Sequence, residues 1–387
     1  MKTAGIICEY NPFHNGHKYH IEKTKELYGA THIVGVMSGN FTQRGDVAII
    51  DKYKRAETAL KNGVDLVIEL PVAFALGSAE QFAQGAVHLL NSLGCIDILS
   101  FGSESGNIEL LQETAGAIAY VSETDTFMNA LRNGSSYPAA LQKALEEYYE
   151  DDIVETLACP NNTLAIEYLK ALSEYGSFIK PVTVKRYGAA HDSDESVSDT
   201  VVSASYLRKQ ITNGNDVSRL MPNADFSNTA DILRLETAIL SKLRTMTKAQ
   251  LASVPNVMLG LENRIYKAVR VASSLPELMM LIKTKRYTMA RIRRITLCSY
   301  LGITKNDLKN LPAYVHILGM NSKGKEILSN LNCPLPVNTS LMSLSKENPI
   351  AQKQAMLEER CGNLYALAME KKIPCGLDFT AKPIILD

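Results

Sequence analysis

Three histidines fall within seven residues near the start of the chain, where EYNPFHNGHKYH (9–20) sets His14, His17 and His20 around Asn15 and Gly16. Residues of these types at this spacing admit three chemistries. The three-residue interval puts His17 and His20 on one helical face, which allows a metal sterically. No HExxH pattern accompanies them, no carboxylate sits at ligand spacing, and His32, His88, His191 and His316 are isolated. A plain helix start with surface histidines suits His20 better than His14 or His17. The third chemistry is anion binding. A loop that leaves a strand and opens a helix presents free backbone N–H groups at a positive dipole end. Gly16 permits close backbone approach, Pro12 stiffens the loop, and both imidazoles can donate to phosphate oxygens. Such donors strengthen as charge builds on an α-phosphate during in-line displacement, so the loop suits nucleotidyl transfer.

The elements around the loop fit that chemistry. Apolar runs at 4–8, 32–37, 64–70 and 96–101 alternate with helical patterns at 17–28, 52–62 and 79–93. The runs are rich in Ile and Val with little alternation, as in strands buried on both faces of a parallel sheet. The predicted fold class is α/β: a doubly wound, Rossmann-like parallel sheet that binds ligands beyond the carboxyl ends of its strands, where the loop after Cys8 lies. Residues 107–176 read as helical, broken at Asn133-Gly134 and by a Pro160-Asn161-Asn162 turn capping a helix over 163–175, and a last strand fits 179–186. The turn at Pro222-Asn223-Ala224-Asp225 divides the chain into a catalytic region, 1–224, and a mostly helical region, 225–387, whose only expected strand is 314–319. The acidic stretch Glu146, Glu147, Glu150, Asp151 and Asp152 reads as a solvated helix end.

Composition narrows the partners. Lys plus Arg and Asp plus Glu both total 41, so no whole-molecule field favours nucleic acid or membrane, and any RNA surface must be local. Seven scattered cysteines without a CxxC pair argue for reduced thiols. The opening apolar stretch is too short for a signal peptide and no run of eighteen apolar residues follows, which predicts a soluble, cytoplasmic protein without a membrane partner.

His14-Asn15-Gly16-His17 after a first strand resembles the HxGH signature of the nucleotidyltransferase superfamily that includes class I aminoacyl-tRNA synthetases and small adenylyltransferases. Val202-Ser203-Ala204-Ser205-Tyr206-Leu207-Arg208 is similar to its ISSTxIR element, departing at Ala204 and Ser205. A helix start with a serine cap is the plainer reading of that stretch. Longer pieces, EYNPFHNGH, VMSGNFTQRGD (36–46), DKYKRAETAL (51–60), ELPVAFA (69–75), PNNTLAIEYLKAL (160–172) and TKRYTMARIRRI (284–295), resemble the bacterial tRNA(Met) cytidine acetate ligase family over nearly the whole chain. The resemblance implies activation of acetate with ATP and acetylation of the exocyclic amine of the wobble cytidine in elongator tRNA(Met), giving N4-acetylcytidine. It implies that ATP is held by Ile7, Cys8, Glu9, Tyr10, Asn11, Pro12, Phe13, His14, Asn15, Gly16, His17, Lys18, Tyr19 and His20, with Gly102, Asn161 or Asn162, and Arg186. On this reading His14 and His17 stabilise the α-phosphate and Ser203 and Arg208 hold the pyrophosphate. Mg²⁺ is inferred from phosphoryl-transfer practice, not from a ligand motif.

Rival readings remain open at this point. A small-cofactor adenylyltransferase would use the same HxGH loop but would not need the long region after Asp225. A non-catalytic ATP-sensing RNA-binding protein would not need His14 and His17. Acetyl-CoA chemistry would require a [QR]xxGx[GA] loop, and Gln43-Arg44-Gly45-Asp46-Val47-Ala48 puts Asp46 where the glycine belongs. Asn40, Gln43, Arg44 and Asp46 are instead expected beyond the second strand, near the reacting carboxylate or the base.

Between Glu277 and Asp307 no acidic residue occurs, whereas Lys283, Lys285, Arg286, Arg291, Arg293, Arg294 and Lys305 do. A solvated helix face would explain this window, and the family resemblance makes it the expected RNA-binding surface, with Tyr287 as a base-stacking candidate and Lys54 and Arg55 as an extension of the basic path or a solvent face.

Overall fold

The apolar runs become strands wherever both of their faces can be covered. The structure, a computed structural model, describes residues 1–158, 160–186 and 202–387. Its strands are β1 (Thr3–Cys8), β2 (His32–Ser38), β3 (Phe41–Thr42), β4 (Asp46–Val47), β5 (Leu66–Leu70), β6 (Ile98–Ser103), β7 (Lys180–Lys185), β8 (Val315–Met320), β9 (Val337–Asn338) and β10 (Ile384–Ile385). The main sheet has the order β10-β8-β5-β2-β1-β6-β7, with β9 beside β8. β5, β2, β1, β6 and β7 run parallel, and every residue of β2 and β5 is buried, which is why these runs carry no polar alternation. The doubly wound α/β expectation holds, with one antiparallel joint between β5 and β8.

Pairing of Cys8 with Met37 brings the carboxyl ends of β1 and β2 side by side, so the loops after Cys8 and Ser38 leave the same sheet edge. The β3–β4 hairpin grows from the second of these loops. Helix α1 (Asn15–Tyr28) follows β1, and α2 (Lys52–Lys61), capped by Asp51, leads to β5.

Two expectations are corrected. Pro160 opens the helix Pro160–Glu174 itself rather than a turn that caps it, because proline lacks only an N–H that the first helical turn leaves unused. The run at 314–319 is a strand, β8, but β9 and β10 accompany it, and at two residues each they are too short to show a period. These strands extend the sheet of the first region, and leucines and isoleucines of the helices Glu236–Thr245, Leu261–Val271, Leu275–Ile282 and Met289–Leu301 share one core with β2 and β5.

A buried ionic cluster ties the distant segments together. Lys52 Nζ lies 2.7 Å from Glu69 Oε1 and 3.0 Å from Asp378 Oδ1, and His316 Nδ1 lies 2.7 Å from Glu69 Oε2. Nearby, Glu358 accepts from the Val72 N–H. Burial pushes all three carboxyls up, yet Lys52 and His316 bring Glu69 below the ordinary range, while the Glu69 charge adds to the rise at Glu358. The cluster sits directly behind Gly39, where a Cβ would stand 2.5 Å from Glu69 Oε1, so only glycine lets the loop after β2 lie this close.

Candidate active site

The histidine loop caps its own helix. His14 is the N-cap of α1, and its Nδ1 accepts from Gly16 N–H at 3.0 Å while Nδ1 of His17 accepts from His14 N–H at 3.2 Å. A ring nitrogen that accepts a backbone N–H carries no proton, so each neutral ring keeps its proton on Nε2. The rings stack with centroids 3.8 Å apart, and Tyr10 and Phe13 pack on His17 at 4.9 and 5.5 Å. Burial, reinforced by Arg186 and Arg208, holds His14 down at about 3. Burial, His14 and Arg186 hold His17 well below the usual histidine range. Both rings are therefore neutral at pH 7, each with one fixed Nε2–H donor.

His20 is used differently. Its Nε2 meets Ser100 Oγ at 3.0 Å, and Thr24 Oγ1, which donates to His20 O, lies 2.7 Å from the same hydroxyl. With Thr24 spending its proton on His20 O, Ser100 donates to Thr24 and accepts from His20. This chain pins α1 to β6. Burial and Arg186 lower His20 to about 4. The three histidines do not gather around a common point as metal ligands would, and among the described residues no group of three His, Cys, Asp or Glu could hold a metal ion.

On one side of β1 lie Gly102 near the end of β6, Arg186 just after β7, and Asn162 in the first turn of the helix Pro160–Glu174. Arg186 N–H bonds Ser103 O at 3.0 Å, and its side chain lies against Gly102, where a Cβ would be 3.5 Å away. Asn162 is buried, accepts from Glu104 N–H at 3.1 Å and donates to Thr156 O at 3.0 Å, which fixes the loop after β6. The Asn161 side chain, Tyr187 and His191 lie outside the described residues. Ser203 caps the helix Ala204–Thr212, accepting from Tyr206 N–H at 3.1 Å, and Arg208 donates to Asn11 O at 2.8 Å. The helix Ala204–Thr212 thus reaches the histidine loop through Arg208. Within residues 7–20, Cys8, Tyr10, Asn11, Pro12, Phe13 and His14 are buried, Ile7, Glu9, Asn15, Gly16, His17, Tyr19 and His20 are half-buried, and Lys18 is exposed.

On the other side of β1 lies a cavity of about 290 Å³ lined by Glu9, Asn11, Thr42, Arg44, Asp46, Ser205, Arg208 and Arg293. Of the residues expected beyond the second strand, Arg44 and Asp46 line it. Asn40 instead accepts from Lys52 N–H at 2.9 Å, and the Gln43 backbone links Glu9 to Arg294. Gly45, with φ +77°, lets the hairpin turn press against the helix Met289–Leu301, where a Cβ would stand 2.5 Å from Arg294 N.

Arg55 holds these loops and corrects the expectation of a basic path. It is 1% exposed, and its guanidinium donates to Ile50 O at 2.9 Å, to Ser38 O at 3.2 Å and to Glu9 O and Gly39 O. It thereby clamps the carboxyl ends of β1 and β2 together. Lys54 pairs with Asp225 at 2.7 Å and bonds Ser227 at 3.0 Å.

The family model described as HIGH Nucleotidyl Transferase matches residues 1–375. A tRNA(Met) cytidine acetate ligase of Acetivibrio thermocellus is 38% identical over 100% of both chains, and one of Caldicellulosiruptor saccharolyticus is 39% identical over 100% of this chain and 99% of its own. The chain belongs to the tRNA(Met) cytidine acetate ligase family. The crystal structure of Thermotoga maritima TmcAL in an apo form superposes with a TM-score of 0.92 at 32% identity over 100% of both chains. The same protein bound with alpha-thio ATP superposes at 0.87 and 31% identity, again over 100% of both chains.

Within this family fold, the basic window divides in two. Lys283, Lys285, Arg286 and Arg293 are exposed. Arg291 is turned inward, donating to Asn256 O at 2.7 and 3.1 Å with its guanidinium over the buried Tyr287 ring, and Arg294 is buried and donates to Gln43 O at 3.0 Å. Lys305 donates to Ala252 O and Val257 O, both at 2.8 Å. Arg294 and Tyr287 are thus buried in the protein and Arg291 is half-buried, while Lys305 stays exposed beside its two carbonyl partners. Helical phase carried this signal, since Arg294 shares a face with Leu297, Cys298 and Leu301. Among the described residues no helix is long and apolar enough to cross a membrane.

Proposed function

We propose that the protein is an ATP-dependent tRNA(Met) cytidine acetate ligase. An acetate oxygen attacks the α-phosphorus of ATP, the bond to the β-phosphate oxygen breaks, and pyrophosphate leaves. The resulting acetyl-adenylate is electrophilic enough for the exocyclic amine of the wobble cytidine in elongator tRNA(Met), a weak nucleophile whose lone pair is delocalised into the ring. Attack of N4 on the acetyl carbonyl expels AMP, and loss of one N4 proton gives N4-acetylcytidine. The observation that carries this reading is the reciprocal cap, which fixes two neutral Nε2–H donors at the carboxyl edge of β1 in a chain matched end to end by acetate ligases. His14 and His17 serve the transferring α-phosphate, and Arg208 with Ser203 serves the departing pyrophosphate. Gly102, Asn162 and Arg186 receive the nucleoside end.

Mg²⁺ enters on the triphosphate, since this ion is commonly held by one or two carboxylates together with substrate phosphates. Among the described residues no group of three His, Cys, Asp or Glu could hold a divalent ion by itself. A protein that consumes ATP and modifies tRNA works in the cytoplasm. A small-cofactor adenylyltransferase is not favoured, because residues 225–387 contribute β8, β10 and the cavity residue Arg293.

Pyrophosphate–ATP exchange, run with and without acetate, tests the first step. Exchange should require acetate, and a His14→Ala, His17→Ala variant should lose at least about 10²-fold, the usual cost of removing one transition-state donor. Acetate-independent exchange would overturn the ligase reading.

A further inference from the structure

The cavity beside β1 carries both signs of charge, which a wholly anionic ligand does not match throughout. Its lining mixes two carboxylates, Glu9 and Asp46, with three arginines, Arg44, Arg208 and Arg293. A triphosphate or an acetate ion would face like charge at both carboxylates, which costs binding energy on that side. At about 290 Å³ it also approaches the size of pockets that hold ring-sized ligands, far more than a two-carbon acid fills. A neutral ring with donors on one atom and acceptors on its neighbours suits both signs at once. The Watson–Crick edge of cytosine is such a group: its N4 amine donates to carboxylates, and its N3 and O2 accept from arginine.

The location agrees. β6 and β7, with Arg186, lie on one side of β1 in the strand order, and β2, whose exit loop carries Asp46, lies on the other. Asn11 of the histidine loop, Ser205 and Arg208 share this rim, so an occupant of this cavity lies beside the histidine loop. Arg293 comes from the same acid-free basic segment as the exposed Lys283, Lys285 and Arg286. Gly45 fixes this junction by letting the hairpin turn touch the helix at Arg293 and Arg294.

Resting on the ligase reading above, we infer that this cavity receives the unstacked acceptor cytosine, with Asp46 accepting from the exocyclic amine and Arg293 donating to the N3 and O2 edge. As the N4 lone pair forms its bond to the acetyl carbon, the bond to the AMP oxygen breaks with its electron pair, and one N4 proton passes to the Asp46 carboxylate. Burial pushes Asp46 up from the ordinary carboxylate range and Asp231 adds to that, against the Val47 N–H, Arg208 and Arg293. Glu9 and Arg44 are the other charged groups on the cavity wall.

The two half-reactions separate the outcomes. Acetate-dependent pyrophosphate–ATP exchange without tRNA reads adenylation, and single-turnover acetylation of tRNA(Met) with saturating ATP and acetate reads transfer. Asp46→Asn keeps the acceptor for Val47 N–H, so its melting temperature and exchange rate should match wild type. Its transfer rate should fall by about 10²–10⁴-fold, the usual contribution of a general base, and the acid limb of the transfer pH profile should disappear. Arg293→Ala should lower transfer at subsaturating tRNA with exchange intact, and Arg293→Lys should not restore it, because the paired donors of the guanidinium are lost. Normal transfer by Asp46→Asn, an unmoved acid limb, or parallel loss of exchange and transfer would each overturn the assignment. A wild-type protein that shows neither exchange nor transfer would overturn the ligase reading, and the assignment with it.

Discussion

The histidine loop after β1 presents its donors through backbone and neighbours in sequence, whereas the cavity on the β2 side is lined by residues drawn from four distant segments. His14 and His17 orient each other within a single helical turn. Asp46 and Arg293 meet only because a hairpin, a helix start and a C-terminal helix dock around one cavity. A locally closed device can be carried by a short motif on any sheet with a free carboxyl edge. A cavity assembled at long range depends on everything that holds its walls, and here much of that support consists of buried charge and two glycines.

Arg55 supports both sides, and its removal should have the largest effect. Arg55→Ala would leave the carbonyls of Glu9, Ser38, Gly39 and Ile50 buried without that donor. Unmet buried groups cost about 1–3 kcal/mol each, so a loss of about 3 kcal/mol or more is expected in chemical denaturation. Both half-reactions should fall together. Arg55→Lys should recover little, since one ammonium cannot reproduce a fork spread over four carbonyls. If only transfer suffered, the clamp would belong to the acceptor side alone.

Gly45→Ala should pull the two sides apart. A side chain at φ +77° is strained, and its Cβ would push the hairpin off the helix backbone at Arg294. About 1–3 kcal/mol of destabilisation is expected from strain and overpacking. Because the displaced wall belongs to the acceptor cavity, tRNA acetylation should drop while acetate-dependent exchange survives. Equal losses in the two assays would show that the hairpin also serves adenylation.

The same contrast governs what could be read from sequence. β1, β2, β5 and β6 are legible because strands buried on both faces leave mostly apolar runs without alternation, and the histidine loop is legible because its parts are contiguous. Arg55 is not, since KYKRAETAL looks like a solvent face by composition. Its phase is more informative: Lys52, Arg55, Ala56, Ala59 and Leu60 form the buried stripe of α2. The basic window likewise gives charge but not direction, and helical phase turns Arg294 inward while leaving Arg293 outside. Lys52 and Asp378 of the buried ionic cluster are separated by hundreds of residues, so no local pattern joins them.

The histidines also make the nucleotide side testable by pH. Their folded values lie below the ordinary 6.5, at about 3 for His14 and about 4 for His20, so in acid the unfolded chain binds more protons than the folded one. Stability should therefore fall as pH drops from about 6.5 toward 4, and His14→Gln should flatten part of that slope in melts across the range. Adenylation should show no titration near 6.5, because the donors stay neutral throughout. A histidine-like limb at that pH would mean that a charged imidazole meets the phosphate.

The smallest effect is expected at the outer basic surface, where the acceptor side becomes pure electrostatics. Lys285→Ala with Arg286→Ala removes two exposed cations that carry no part of the cavity wall. Exchange without tRNA should not change, and transfer at saturating tRNA should stay close to wild type. Binding of tRNA should weaken modestly and its salt dependence should shallow, by about 0.7–0.9 in the logarithmic slope for each phosphate that is no longer neutralised. A weakened affinity with an unchanged slope would mean that these side chains act through packing or by touching bases. An unchanged affinity and slope would move the RNA path elsewhere, leaving Arg293 to meet its base from a different approach.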